Sequence, residues 1–124
     1  MIALDSSSLV AYLAGDPGDD VEAVDSALRQ RQGVLPPVVL SEILSDPKLP
    51  DKVASLFLEI PMLSPTDGYW ERTGRLRSRM IARGRKAPLA DSLIVQACLD
   101  YDVELVTRDL DFRPFARLAG LRLA

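Results

Sequence analysis

Ile2-Ala3-Leu4-Asp5-Ser6-Ser7-Ser8-Leu9-Val10-Ala11-Tyr12-Leu13-Ala14 decides the fold class. A short apolar run stops at an acid and three serines, residues suited to helix N-caps, and an apolar-rich stretch resumes behind them. That order predicts strand, turn, helix. Further on, Val21, Val24, Ala27 and Leu28 recur at helical spacing up to Arg31, and Gly33-Val34-Leu35 predicts a second strand. Pro36-Pro37 cuts that strand short, with Pro37 suited to the first turn of a helix over Val38 to Ser45. A short helix is expected over Asp51 to Glu59, a third strand over Pro61 to Ser64, and a long helix from Tyr69 to about Arg83. Ala87 to Tyr101 is apolar nearly all round, which predicts a helix buried on several sides. Glu104 to Thr107 then reads as a fourth strand, Asp111 to Ala119 as a helix, and Leu121 to Leu123 as a fifth strand. Parallel neighbours need crossover connections. The alternation therefore predicts an α/β fold, a three-layer α/β/α sandwich around a mostly parallel five-stranded sheet.

Composition narrows the chemistry more than the fold. The 124 residues, 48% of them hydrophobic and 27% charged, fit one domain spanning 1–124. Fifteen Lys and Arg stand against 18 Asp and Glu, a formal net charge of −3. There is no histidine, so His-dependent triads and imidazole metal ligands are excluded. The lone Cys98 reads as a core residue in a reducing compartment. Met1 to Asp5 lacks a basic stretch and a long apolar core, and no apolar run approaches the roughly 18 residues of a membrane span. The expectation is a cytoplasmic chain without membrane contact, whose hydrolytic chemistry, if any, runs on carboxylates and a metal.

In open parallel sheets ligands bind outside the carboxyl ends of the strands. Asp5 follows the first strand, and Asp109 follows the fourth with Asp111 two residues on. Glu42 lies among the apolar residues of Val38-Val39-Leu40-Ser41-Glu42-Ile43-Leu44, and Asp91 opens the apolar helix in Leu89-Ala90-Asp91-Ser92-Leu93. Taken singly, each has a plainer reading: a cap or turn residue for Asp5, Asp109 and Asp111, a solvated helix edge for Glu42, and a helix-dipole partner for Asp91. Together they would be different. At an effective dielectric near 20, two carboxylates about 5 Å apart repel by about 3 kcal/mol, so a cluster must protonate, hydrate or hold a cation. Oxygen ligands without His or Cys favour Mg²⁺ or Mn²⁺, and such a site suits phosphodiester hydrolysis.

A polyanionic substrate would meet a basic helix. Arg72, Arg75, Arg77, Arg79, Arg83, Arg85 and Lys86 lie within about 15 residues, and Arg72, Arg75, Arg79 and Arg83 form one stripe beside Tyr69, Thr73, Leu76 and Met80. The stripe is expected to face outward and could track RNA phosphates, or it is a solvated face or a surface for an acidic protein. Tyr69 and Trp70 are expected to be taken up by packing.

These segments resemble a known family. Asp5-Ser6-Ser7 after the opening strand, Ser41-Glu42-Ile43-Leu44, Asp91-Ser92-Leu93-Ile94 and Thr107-Arg108-Asp109-Leu110-Asp111-Phe112 are similar, in order and spacing, to the motifs of the PIN domain and its VapC-type toxins. The resemblance spans essentially the whole chain. It implies a metal-dependent endoribonuclease in which Asp5, Glu42, Asp91 and Asp109 hold Mg²⁺ or Mn²⁺ directly or through water. Ser6 and Thr107 would support the site by hydrogen bonding, and Asp111 would substitute for or assist Asp109. It also implies a homodimer, a cognate antitoxin and a structured RNA as substrate. Two other classes compete: a PIN-like module that only binds RNA or protein, and a phospho-acceptor receiver or haloacid dehalogenase-type phosphatase. The latter pair is poorly matched, because Asp5 stands alone, Ser64-Pro65 follows the third strand and Ser7 occupies the place of a second Asp.

Overall fold

A computed structural model describes residues 1–124. Ile2–Leu4 (β1) lies at the centre of a parallel sheet, between Gly33–Val34 (β2) and Glu104–Val106 (β3). Ile2 aligns with both Gly33 and Glu104, Ala3 with Val34 and Leu105, and Leu4 with Val106. The expected third and fifth strands contract to single parallel bridges, Leu35 with Met62 and Leu105 with Leu123. Each edge keeps two ladder hydrogen bonds: Leu35 N to Pro61 O and Leu63 N to Leu35 O, both 2.9 Å, on one side. Leu105 N to Arg122 O at 2.9 Å and Ala124 N to Leu105 O at 3.0 Å form the other. Proline cannot donate to a ladder, and Pro61 and Pro65 bracket the shortened third strand.

Helices Ser6–Ala14 (α1) and Asp19–Arg29 (α2) connect β1 to β2, and Val39–Leu44 (α3) and Asp51–Leu58 (α4) lead to the Met62 bridge. Tyr69–Ala82 (α5) and Leu89–Tyr101 (α6) then carry the chain back across β1 to β3, and Arg113–Ala119 (α7) follows a 3-10 turn at Leu110–Phe112. Right-handed crossovers in opposite directions place the two helix groups on opposite faces of the sheet. Packing agrees with this: α1 lies against α2 and α3, whereas α5 lies against α6 and α7.

Several boundaries differ from those expected, among them three with a clear local cause. The second helix begins at Asp19, where Asp19, Asp20 and Glu22 face its positive end. The sixth starts at Leu89, behind Pro88, so Ala87 stays outside it. Pro37 does not enter α3: the turn is made at Val38, in the left-handed region at φ 85°, unusual for a β-branched residue. One core of 25 buried hydrophobic residues joins the layers, with Leu4, Leu9, Val24, Leu76, Leu105 and Phe115 fully enclosed. Cys98 belongs to it, its thiol pushed up to about 12 by burial. No helix is long and apolar enough to cross a membrane.

The strand order reverses at β1. Its chain leaves to one face through α1, while β3 beside it leaves to the other through α7. The crevice between those departures opens at the carboxyl ends of β1 and β3, where Asp5 and Thr107 stand.

Candidate metal centre

Because β1 and β3 are adjacent and in register, the residues that follow them meet. Asp5 N donates to Val106 O at 3.0 Å, and Asp5 Oδ2 receives the hydroxyls of Ser7 at 2.6 Å and Thr107 at 2.8 Å. Asp5 occupies the N-cap position of α1, yet its carboxylate makes no cap hydrogen bond. It is turned into the crevice, only 4% exposed. A buried carboxylate without partners would be costly, and two hydroxyls supply them. Thr107 Oγ1 also accepts Asp109 N at 3.0 Å, which fixes the start of the following loop.

Three consecutive serines serve three acids. Ser6 donates to Glu42 Oε1 at 3.3 Å, Ser7 to Asp5, and Ser8 to Asp20 Oδ2 at 2.8 Å. Successive residues of an α-helix point about 100° apart, so one turn of α1 directs hydroxyls to α3, to the sheet edge and to α2.

On the far side of the crevice Asp91 lies in the first turn of α6. Asp109 Oδ1 accepts Asp111 N at 2.9 Å, a local turn that holds this loop segment together. Carboxylate oxygens of Asp91, Asp109 and Asp111 all lie within 4.8 Å of one another. No hydrogen-bond donor or basic side chain reaches Asp91. Burial first, then the charges of Asp109, Asp5, Asp111 and Glu42, push its carboxyl up to about 6. Glu42 is displaced upward too, by desolvation and then by Asp5, against the opposing hydrogen bond from Ser6.

The donor set fits a hard divalent cation. Two oxygens opposed across Mg²⁺ are about 4.2 Å apart, close to the spread of the three aspartates, and oxygen-only ligation is what Mg²⁺ and Mn²⁺ prefer. Of the expected acids, Asp91 and Asp109 come together with the expected helper Asp111, while Asp5 and Glu42 lie near enough to act on Asp91 through their charge. An apolar cleft of about 600 Å³ between α1, α2 and α4, lined by Tyr12, Leu28, Phe57 and Ile60 among others, holds none of these acids.

The basic stripe is broken at one end. Arg72 folds back on Asp100, Nε to Oδ1 at 3.0 Å and Nη2 to Oδ2 at 2.6 Å, and also donates to Thr66 Oγ1 and Asp67 O. It ties α5 to α6 and is not a free surface charge, because an acid on the adjacent helix lies within reach of its fork. Arg75, Arg79 and Arg83 are exposed, and their side chains make no ion pair or hydrogen bond. Tyr69 is buried as expected and donates to Leu93 O, but Trp70 is 64% exposed, since only every third or fourth position of α5 meets the core.

Two contributors were not legible from the motifs. Ser7, not Ser6, holds Asp5. Arg108 spans to Asp20, whose carboxyl is held down at about 2 chiefly by that hydrogen bond, with help from Ser8. The signal was present as the hydroxyl triplet and as a basic residue directly before Asp109, but no periodicity says which way such side chains turn.

The family model of the PIN domain matches residues 2–118. Solved structures similar to the chain include VapBC2 from Rickettsia felis bound to a DNA fragment from its promoter, with 21% identity and a TM-score of 0.76, covering 100% of this chain and 98% of that one. FitAcB from Neisseria gonorrhoeae follows at 19% identity and 0.71, covering 99% and 96%. VapBC-5 from Mycobacterium tuberculosis, of the VapBC family of toxin-antitoxin systems, is 18% identical at 0.67, covering 98% and 95%. No curated protein sequence matches. With the family model spanning nearly the whole chain and the fold shared from end to end, this protein belongs to the PIN domain family.

Proposed function

We propose that the chain is a Mg²⁺- or Mn²⁺-dependent endoribonuclease that acts as the toxin of a toxin-antitoxin pair. One observation carries this reading: three carboxylates converge within 4.8 Å at the carboxyl edge of a PIN-domain sheet, and one of them, Asp91, has no partner in the protein. Unpaired, partly buried acids at such spacing oppose folding, so their grouping has a purpose outside stability. Asp91, Asp109 and Asp111 would hold the ion, with Asp5 and Glu42 reaching it through water or shaping its field. A divalent cation held by these acids would supply an activated water and charge stabilisation for the phosphate and leaving oxygens. Ser7 and Thr107 hold the Asp5 carboxylate aimed into the crevice, Ser6 steadies Glu42, and Thr107 sets the loop that carries Asp109.

Arg75, Arg79 and Arg83 supply positive charge on an otherwise acidic chain, suited to a nucleic-acid backbone. An antitoxin partner, supported by the toxin-antitoxin complexes among the similar structures, belongs to this reading, and a homodimer and a cytoplasmic location complete it as parts of the proposal. The test is incubation of the purified chain with total RNA, defined transfer and ribosomal RNAs and a single-stranded DNA, with Mg²⁺ or Mn²⁺ and with EDTA. Discrete, metal-dependent RNA cleavage is the expected result. Absence of cleavage together with absence of a metal-induced rise in melting temperature would overturn it in favour of a binding module.

A further inference from the structure

Arg108 stands between two residues of the site, Thr107 and Asp109, but its side chain leaves the crevice. Its guanidinium grips Asp20 with two hydrogen bonds, Nε to Oδ2 at 2.8 Å and Nη2 to Oδ1 at 3.1 Å. Nη2 also donates to Pro17 O at 3.2 Å, and Nη1 lies 3.8 Å from Asp16. Asp20 is held from behind by Ser8, which is fully buried in α1. The side chain of Asp20 is 16% exposed and that of Arg108 36%, so the pair is partly shielded from water. Gly18 leaves room for it: at φ 149°, a Cβ there would stand 2.5 Å from Asp20 Oδ1 and 3.0 Å from Arg108 Nη2 and would push the two apart.

The loop that carries Asp109 and Asp111 has few other ties. Thr107 fixes its first residue, Arg108 N donates to Ser7 Oγ at 3.3 Å, and the Asp109–Asp111 bond is internal to it. Asp111 is exposed and Asp91 belongs to a different element, and no hydrogen bond between them sets their distance. A fork-like, charge-assisted pair is well suited to fix a loop in position as well as to stabilise it.

We infer that Arg108 is a positioning residue: its clamp on Asp20 anchors the 107–111 loop to the α1–α2 turn and thereby sets Asp109 and Asp111 at cation-binding distance from Asp91. The inference rests on the metal-site reading above. The clamp also removes a competitor. A basic residue next to a metal-binding acid is its natural counter-ion, and Asp16 and Asp20 engage Arg108 elsewhere, leaving the trio for a cation.

Binding of Mn²⁺ to the full chain, followed by electron paramagnetic resonance without RNA, tests this. Arg108→Ala and Asp20→Ala should each weaken Mn²⁺ binding about 10-fold, the scale of losing a group that orients a metal ligand. The double variant should bind no worse than either single one, because both remove the same clamp. Arg108→Lys, which keeps the charge without the fork, should recover part of the loss and guards against a misfolded alanine variant. Arg29→Ala, which breaks an ion pair of similar length on the exposed face of α2, should leave binding unchanged. Wild-type affinity in both clamp variants, or losses that multiply in the double variant, would overturn the inference while leaving the nuclease reading intact. Failure of the wild-type chain to take up Mn²⁺ would sink both together.

Discussion

Asp5 and Asp91 face the same crevice under opposite conditions. Asp5 is the more deeply buried, yet two hydroxyls and the sheet edge account for it. Asp91 is more exposed, meets no donor and carries the repulsion of four other acids. The same division separates the arginines of α5: Arg72 is engaged by Asp100 and Thr66, while Arg75, Arg79 and Arg83 are left to solvent. Burial alone therefore does not mark a functional charge. What marks it is an interaction the fold could have supplied and did not.

The sharpest way to break this comparison is to neutralise Asp91. Asp91→Asn should lower metal-dependent RNA cleavage by at least about 100-fold, more than the loss of a residue that only orients a ligand, with the melting temperature in EDTA unchanged or raised. Turnover at the wild-type level would remove Asp91 from the site. Thr107→Val should do the reverse, taking a partner from Asp5 and costing about 1–3 kcal/mol of stability in chemical denaturation. Reversing Arg75 and Arg79 to Glu should weaken RNA binding about 10-fold and flatten its salt dependence, by roughly one unit of slope for each phosphate no longer neutralised. Arg72→Gln should change stability and leave that slope alone.

A smaller effect appears in pH. The folded-state pKa of Asp91 is raised to about 6 from an ordinary 3.8, so between those values the folded chain holds a proton that the unfolded chain has released. This group's contribution to stability therefore falls as pH rises through the window and stays level above it. In EDTA the melting temperature of Asp91→Asn minus that of wild type should grow from about pH 4 to about pH 6 and then plateau. Adding Mn²⁺ near neutral pH should narrow the gap by stabilising wild type alone. A difference independent of pH would mean that Asp91 is not under the strain described.

Much of this was legible in the sequence, and the reasons are physical. Periodicity and turn residues reveal the alternation of elements, because Asp5-Ser6-Ser7-Ser8 and Pro65-Thr66-Asp67-Gly68 are strong local punctuation. Apolar runs overstate the weak edges at Met62 and Leu123, since a strand's extent depends on its neighbours and not on its own composition. In the site, each acid was visible from its place after a strand or within an apolar helix. Which of them approach most closely was not: Asp111 meets Asp91 through a loop turn, and Arg72 turns to Asp100 across two helices. Both depend on side-chain direction, which spacing leaves open.

The serine triplet at the head of α1 has an implication for insertions and deletions. Ser6, Ser7 and Ser8 reach Glu42, Asp5 and Asp20 because the helix begins at a fixed phase behind β1. Removing or adding a single residue between Leu4 and Leu9 rotates all three hydroxyls by about 100°, so each acid would lose its partner at once although every residue type remained. The site is thus written in the angular register of one helical turn, and a chain with the same residues in a shifted phase would be a different molecule at this edge.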